Sequence, residues 1–271
     1  MSISSGMDAR SASPDIVICN NREALARDAA YRFTALALQA ISEGRPFRVA
    51  LSGGSTPRLL YAQLAAPPFQ RAIDWSRVEI FFGDERAVPP DAPDSNYRMA
   101  RDALLAHLPV PAEQIHRMPA EQPDLDAAAQ DYEQTLRRAF APAPGEWPRF
   151  DLILLGMGPD GHCASLFPGR PALLETRRLV VATEPGLAPF VPRLTLTFPV
   201  INHSAHVLFL IAGMDKAHTV AHMLLRDLPA DQLPVLHVSP EEGNVTYLLD
   251  REAALLVPSV MDTAGAVGSM E

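Results

Sequence analysis

Residues 151–169 read DLILLGMGPDGHCASLFPG. An apolar run leads there into a glycine-rich turn that carries Asp160 and His162, which is the pattern of a buried strand delivering an acid and a base to a sheet edge. In open α/β sheets, ligands bind just beyond the carboxyl ends of the strands. The stretch therefore predicts an α/β fold with His162 beside a bound substrate.

The same stretch contains a second pattern, because residues 156–161 satisfy the G-x-G-x-x-G spacing of dinucleotide-binding turns. Glu184 ends the next apolar run at a distance that suits such a site. A dinucleotide-binding turn must, however, open a helix whose N-terminus receives the pyrophosphate. Two prolines and a glycine within residues 168–171 break any helix that begins near His162. We therefore favour a substrate-binding turn over a nicotinamide site.

The composition is that of an ordinary globular protein. Its 271 residues are 48% hydrophobic and include only two cysteines, Cys19 and Cys163, too few for a disulfide framework. The formal net charge of -9 makes a nucleic acid or an anionic membrane surface an improbable partner, so local donors must hold any anionic ligand. No apolar run approaches the length of a membrane span, and the first residues lack the apolar core of a secretory signal. We expect a cytoplasmic protein.

Strands alternate with helices along the sequence, which predicts a mainly parallel sheet covered on both faces. Strands are predicted at 16–18, 48–51, 78–82, 151–155, 180–182 and 205–211, with helices after Asn20 or Asn21, after Pro57, and at 97–108, 124–140 and 216–225. Residues 84–86 are predicted to lie in the loop after the third strand. We expect a disordered tail at 1–14, one α/β domain at 15–258 and a flexible tail at 259–271.

Four predicted strand-end loops concentrate functional side chains, and they should converge on one sheet edge: 52–56, 84–86, 160–162 and 213–216. The first of them precedes a helix and offers backbone N–H groups, two hydroxyls and a helix dipole, which together suit a phosphate. Its members are Ser52, Gly53, Gly54, Ser55 and Thr56. A tight turn that merely needs glycine is the alternative interpretation.

Two cations extend this phosphate hypothesis. Lys216 opens a predicted helix, where its charge opposes the helix dipole unless an anion lies nearby. Arg193 follows a proline-rich loop and could supply a second positive clamp. A solvated surface cation is the alternative for both residues.

Histidine spacing raises the further possibility of a metal site. His218 and His222 are four residues apart on a predicted helix, and His203 and His206 are three apart. Neither pair has an obvious carboxylate or cysteine companion. We favour surface or packing histidines over metal ligands.

Four motifs, in the same order, strongly resemble the 6-phosphogluconolactonases of the oxidative pentose phosphate pathway: LSGGSTP at 51–57, FGDERAVPP at 82–90 with DSNY at 94–97, residues 156–169, and PRLTLT at 192–197. The resemblance runs from about residue 15 to 257. It implies a Rossmann-like three-layer αβα fold and metal-independent, cofactor-free hydrolysis of 6-phospho-D-glucono-1,5-lactone to 6-phospho-D-gluconate. It implies a small phosphosugar lactone as the ligand and a monomer or small homo-oligomer.

The resemblance also suggests roles for the predicted site residues. His162 is expected to activate water as a general base, since imidazoles generally titrate near working pH. Asp160 either orients that imidazole or caps the backbone turn. Asp84 and Arg86 are expected to line the sugar, with Arg86 or nearby amides offsetting the oxyanion or binding phosphate.

Two other functions remain as alternatives. The chain also resembles the glucosamine-6-phosphate isomerase/deaminases, which share these motifs. That resemblance implies a glutamate five residues after the histidine in a deaminase, whereas this chain has Phe167 at that position. A phenyl ring moves no proton, which favours the lactonases. A non-catalytic phosphosugar-binding regulator would need a DNA-binding module and a basic face, and the acidic sequence shows neither.

Overall fold

The structure is a computed structural model that describes residues 13–143 and 145–257. The strands of these residues are β1 (Asp15–Cys19), β2 (Phe47–Leu51), β3 (Val78–Phe82), β4 (Asp84–Arg86), β5 (Leu152–Leu155), β6 (Val180–Thr183), β7 (Arg193–Leu196), β8 (His206–Ile211) and β9 (Asn244–Asp250). The α-helices are α1 (Arg22–Ser42), α2 (Ser55–Leu64), α3 (Phe69–Ala72), α4 (Asn96–Ala103), α5 (Leu125–Phe140), α6 (Phe198–Asn202) and α7 (Ala217–Leu225).

Six strands form one sheet in the order β1-β9-β8-β5-β2-β3, and every neighbouring pair is parallel. Helices flank this sheet, and its inner strands are mostly apolar and buried; β5, for example, is buried at all four positions, whereas the edge strand β1 is buried only at Cys19. The Rossmann-like α/β fold predicted from the sequence is confirmed. Parallel pairing brings the carboxyl ends of β2, β5 and β8 to one edge, where their glycine-rich loops meet.

A second, three-stranded sheet has the order β4-β7-β6 and is antiparallel. The loop predicted for residues 84–86 is wrong, because these residues form β4, and the strand predicted at 180–182 belongs to this second sheet and not to the parallel one. Strand β4 is only three residues long and entirely charged, so it lacks the apolar signal of a buried strand. Strand β9 was also missed.

Local capping signals agree with the structure at two helix starts. The Asn21 side chain accepts the backbone N–H of Ala24 at 2.8 Å, and Asp124 accepts that of Ala127 at 3.0 Å. Each satisfies one of the donors that an α-helix leaves unpaired in its first turn. The two caps therefore fix where α1 and α5 begin.

Several predictions concern the chain ends or its topology. Of the tail predicted to be disordered at 1–14, residues 1–12 lie outside the described residues, as does the flexible tail predicted at 259–271, and the single domain at 15–258 stays a prediction. Among the helices of the described residues, none combines the length and apolarity that crossing a bilayer requires. Residues 156–170 contain no α-helix, as expected from their prolines.

Candidate active site

A cavity of about 480 Å³ opens at the carboxyl edge of the parallel sheet. It brings together nearly all the side chains singled out in the sequence: Ser52, Gly53, Gly54, Ser55, Thr56, Asp84, Arg86, His162, Arg193 and Lys216. Asp160 is not among the lining residues but contacts His162. The four predicted segments thus converge on one cavity, three of them as loops after parallel strands and the fourth, residues 84–86, as strand β4.

His162 lies in the loop after β5 and is held from three sides. Its Nδ1 is 2.6 Å from Asp160 Oδ1, and its ring centroid is 4.5 Å from that of Phe167. A Cβ atom on Gly158 would come within 2.0 Å of the same Nδ1, so only glycine allows the imidazole this position. Because Asp160 occupies Nδ1, the nitrogen left for a ligand is Nε2.

The Asp160 carboxylate is suited to hold a cationic imidazole. Partial burial acts to raise its pKa, but the hydrogen bond and the charge of His162 outweigh that effect and lower the pKa below its ordinary value. An ionised carboxylate on Nδ1 fixes the tautomer that leaves Nε2 free to accept a proton. Asp160 also accepts the backbone N–H of His162 at 3.3 Å, so it both orients the ring and closes the turn.

The turn before α2 has the backbone of an anion site. Gly54 precedes the helix with φ +103°, a left-handed conformation that favours glycine, and no side chain caps its first turn. A Cβ atom on Gly53 would lie 1.9 Å from Asn96 Oδ1, so this glycine permits a close approach. Ser52 is clamped by the Tyr61 hydroxyl, which accepts its N–H at 3.0 Å and donates to its carbonyl at 2.7 Å.

Asp84 lines the cavity within a buried network that the sequence analysis did not resolve. Ser165 Oγ donates to Asp84 Oδ2 at 2.7 Å, and Asn96 Nδ2 is 3.2 Å from Asp84 Oδ1. Asn96 Oδ1 is itself buried without a hydrogen-bond partner in the described residues. Asn96 belonged to a quoted motif, DSNY, whereas nothing in the sequence linked Ser165 to Asp84.

Glu85 lies beside this network and points away from it to the start of α4. Its carboxylate accepts backbone N–H groups of Arg86, Asn96 and Tyr97 at 2.7–2.8 Å and the Ser95 hydroxyl at 3.1 Å. Burial raises the Glu85 pKa, although those N–H groups act to lower it. Glu85 therefore ties β4 to α4 from inside the protein.

The three cations predicted from the sequence have different surroundings. Lys216 ends a 3-10 turn just before α7 and pairs with Asp215, with Nζ 2.8 Å from Oδ2. Arg86 donates from Nη1 to Asp94 O at 2.7 Å, while its buried Nε has no partner in the described residues. Lys216 and Arg86 thus retain donors that can face a ligand.

Arg193 does more than the surface clamp inferred from the sequence. It is 3% exposed and donates to the carbonyls of Leu187, Pro189 and Val191 at 3.3, 2.8 and 3.0 Å. Burial and the neighbouring charge of Arg86 lower its pKa. Because Leu187 also lines the cavity, Arg193 holds one cavity wall in place.

The histidines considered as metal ligands and the buried Cys163 are poorly placed for metal binding and for nucleophilic attack. Among residues 13–143 and 145–257, no three His, Cys, Asp or Glu side chains are placed to share a metal ion. His222 Nδ1 instead lies 2.9 Å from Asp227 Oδ1. Burial, foremost, and the charge of Asp84 raise the pKa of the Cys163 thiol.

Comparison with known proteins identifies the family. Residues 20–247 match the family described as glucosamine-6-phosphate isomerases/6-phosphogluconolactonase. This chain belongs to that family. A 6-phosphogluconolactonase of Synechocystis sp. is 41% identical over 241 residues, which are 89% of this chain and 97% of that protein. One from Mycobacterium tuberculosis is 44% identical over 216 residues, covering 78% and 85% of the two chains.

Solved structures of both branches of this family resemble the chain. A 6-phosphogluconolactonase from Leishmania guyanensis has a TM-score of 0.81 at 34% identity and covers 92% of this chain and 100% of its own. A monomeric glucosamine-6-phosphate deaminase has a TM-score of 0.74 at 25% identity, with 89% and 99% covered. The fold alone does not separate the two activities, so the choice between them depends on the residues around His162.

Phe167 is the residue that bears on this choice. It is 2% exposed, its ring packs against His162 at an interplanar angle of 39°, and a Cβ atom on Gly186 would lie only 2.4 Å from that ring. The Phe167 ring gives the site an apolar surface at the position where a deaminase is expected to carry a glutamate. The site therefore has one acid–base pair at this position, formed by Asp160 and His162.

Proposed function

We propose that this chain hydrolyses 6-phospho-D-glucono-1,5-lactone to 6-phospho-D-gluconate, the second step of the oxidative pentose phosphate pathway. The observation that carries the proposal is one cavity that contains both a carboxylate-oriented imidazole and an anion-binding turn: His162 with Asp160, and residues 52–56 with Lys216. The 6-phosphogluconolactonase names of relatives that align over most of the chain support it. We also propose a cytoplasmic location and a monomer or small homo-oligomer.

We infer direct hydrolysis with His162 as general base. Its Nε2 takes a proton from a water molecule as the water oxygen forms a bond to C1 of the lactone, and the carbonyl oxygen becomes an oxyanion. When the tetrahedral intermediate collapses, the bond from C1 to the ring oxygen breaks and the imidazolium returns its proton to that oxygen. Asp160 stabilises the imidazolium between these two steps.

The charges of the cavity suit the remaining parts of the substrate. A protein of net charge -9 needs local donors for a phosphate dianion, and the turn at 52–56 with Lys216 supplies them. Arg86, with an unpaired buried Nε, is the donor we assign to the developing oxyanion. Asp84, fixed by Asn96 and Ser165, is left to accept from a sugar hydroxyl.

A covalent route is disfavoured by two of the structure's own contacts. The Ser165 hydroxyl is buried and donates to the Asp84 carboxylate, which is a weaker base than the imidazole that activates a serine in Ser–His pairs, and among the described residues no histidine hydrogen-bonds it. The Cys163 thiol is buried with a raised pKa, whereas nucleophilic attack requires the thiolate. Water remains the attacking group.

Glucosamine-6-phosphate deamination is the second candidate, because a deaminase shares the fold at 25% identity. One comparison separates the candidates: purified protein is given freshly prepared phosphorylated lactone and, separately, glucosamine 6-phosphate. We expect acid release from the lactone well above the spontaneous rate measured without protein, and no ammonia from the amino sugar. Ammonia release would replace the proposal with deamination, and tight phosphosugar binding without turnover of either compound would indicate a binding protein.

A further inference from the structure

A fourth cation, Arg22, lines the same cavity and was missed in the sequence. It is the first residue of α1, directly after the Asn21 cap. Its nearest carboxylates are Asp250, with Oδ2 3.7 Å from Nε, and Glu252, with Oε2 3.8 Å from Nη2. Both separations exceed a hydrogen bond, so the Arg22 guanidinium has charged neighbours but makes no hydrogen bond within the described residues.

The other cavity cations are more committed to the protein. Lys216 pairs with Asp215 at 2.8 Å, Arg86 donates to Asp94, and Arg193 donates to three carbonyls. Arg22 thus offers the cavity the guanidinium with the fewest donors already used. A guanidinium presents paired N–H groups in a plane, which match two oxygens of a phosphate.

The turn before Lys216 is shaped around Arg22. Gly213 adopts φ +104°, and a Cβ atom there would lie 2.6 Å from Arg22 Nη2. The Gly213 N–H donates to the buried Asp250, so the turn is anchored below the guanidinium. Arg22 lies against Gly213 at the start of this turn, Lys216 ends the turn, and both residues line the cavity.

The position of Arg22 on its helix carries a cost that an anion would remove. A cation in the first turn of a helix opposes the macrodipole, and the two carboxylates that face Arg22, those of Asp250 and Glu252, lie at the long end of ion-pair distances, 3.7 and 3.8 Å away. An anion bound between Arg22 and Lys216 would meet two positive side chains and the N-terminal ends of α1 and α7. In the proposed lactone substrate, the group that supplies two or more oxygens with negative charge is the phosphate ester.

We propose that Arg22 is a binding residue for the substrate phosphate and raises the preference of the site for phosphorylated over unphosphorylated lactones. This inference rests on the proposed lactonase function for its substrate, but the anion contact itself does not. The rival explanation is structural: Arg22 would only neutralise Asp250 and hold the segment that ends β9. The two explanations differ in whether ligand affinity or the free energy of unfolding changes.

The test compares Arg22→Gln and Arg22→Lys with the control Arg27→Gln. Arg27 is an exposed arginine one turn further along α1 and outside the cavity, so it matches the charge change. We expect Arg22→Gln to raise KM for the phosphorylated lactone roughly three- to tenfold with kcat largely kept, because one partly exposed charge contact is lost. Arg22→Lys should fall between wild type and Arg22→Gln, and the effect on unphosphorylated gluconolactone should be smaller.

Inorganic phosphate provides a readout that is independent of turnover. Its affinity, measured by calorimetry at two salt concentrations, should fall in Arg22→Gln and not in Arg27→Gln, with a weaker dependence on salt. An Arg22→Gln variant that matches Arg27→Gln in KM and phosphate affinity overturns the inference, whether or not its unfolding temperature changes. Failure of the wild type to hydrolyse the lactone would instead defeat the proposed function, and the phosphate measurement would still decide the role of Arg22.

Discussion

The two sheets contribute to the cavity in opposite ways. The parallel sheet is built from buried apolar strands, and its functional groups lie in the loops that follow them, as with His162 after β5. The antiparallel sheet carries its functional groups inside the strands themselves: Asp84 and Arg86 on β4 and Arg193 on β7. The first region presents backbone amides, one imidazole and the cations Arg22 and Lys216, and the second presents charges held within strands, with Asp84 and Arg193 buried.

This difference suggests that the loops of the parallel sheet carry the reacting group and that the strands of the antiparallel sheet form a rigid wall of the cavity. A loop after an apolar strand can position a reacting group without disturbing the core, because the strand is stabilised by burial alone. A charged residue within a strand must be paired or hydrogen-bonded in place, and such contacts make it a rigid wall. We expect proton transfer to depend on the parallel sheet, and ligand positioning to depend on both.

The largest effect is expected from His162→Ala, which removes the proposed base. Activity should fall by about 10²–10⁴-fold, the usual contribution of general acid–base catalysis, while affinity for the product 6-phosphogluconate changes little. The control is His218→Ala, an exposed histidine outside the cavity. Activity within about threefold of wild type would show that the reacting group is not on this loop.

A smaller but still large effect is expected where the two regions touch, at Gly53→Ala. The added methyl would lie 1.9 Å from Asn96 Oδ1, so the turn and the Asp84 network must move apart. We expect a loss of about 1–3 kcal/mol in the free energy of unfolding and roughly 10- to 100-fold in kcat/KM.

Gly83→Ala is the matched control for that substitution, since the new Cβ atom would meet only Leu51 O at 3.5 Å, an ordinary contact. Urea unfolding and steady-state kinetics of both variants test the expectation. Equal behaviour of the two variants would mean that the 52–56 turn does not need its contact with Asn96.

Two cation substitutions sharpen the contrast between loop and strand. Lys216→Ala should raise KM for the phosphorylated lactone about tenfold, with little effect on kcat or on turnover of unphosphorylated gluconolactone, because phosphate contacts act as uniform binding. Arg193→Ala should also raise KM, but it should lower the unfolding temperature as well, because three carbonyls of the cavity wall lose their donor. Equal losses on both substrates for Lys216→Ala would contradict its phosphate role.

The smallest effect is a difference in the sign of a pH dependence. Burial raises the pKa of Glu85, so the folded protein favours the protonated carboxyl. The contribution of Glu85 to the free energy of unfolding is therefore present below the ordinary pKa near 4.5 and is lost as pH rises through the raised pKa of the folded protein. The Asp160 pKa is lowered, so its contribution is present above the ordinary value near 3.8 and lost as pH falls.

Unfolding free energies of Glu85→Gln and Asp160→Asn at pH 4 and pH 7 test this. The gap between wild type and Glu85→Gln should narrow as pH rises, and the gap for Asp160→Asn should widen. Gaps that move in the same direction would mean that the two carboxylates have the same kind of environment.

Five of the six strands of the parallel sheet were predicted from the sequence because their signals are local, whereas β9 was missed. An apolar run such as 78–82 acts within a few positions and was interpreted correctly, and of the two predicted caps, Asn20 and Asn21, Asn21 is the one in the structure. The antiparallel sheet depends on pairing between distant segments, with Asp84 opposite Thr195 and Arg86 opposite Arg193. No local sequence pattern predicts this pairing between β4 and β7.

The candidate site shows the same limit. Motif spacing and loop position identified His162, Lys216 and the turn at 52–56, all of which line the cavity. The hydrogen bonds by which Arg193 holds the segment 187–191 could not be predicted, because they go to backbone carbonyls, which carry no sequence signal. Arg22 had no signal either, since an arginine after an asparagine cap is common on exposed helices.

The two hydrogen bonds between Tyr61 and Ser52 determine when the proposed anion site at 52–56 acquires its shape. Both hydrogen bonds of the phenol go to the backbone of one residue, so the strand end and the helix that follows it are joined before any ligand arrives. Ordering a flexible backbone costs about 1–2 kcal/mol per residue, and a turn fixed during folding spares the ligand that entropy. Association should then depend on diffusion and charge, with no slow rearrangement of this turn in the binding kinetics.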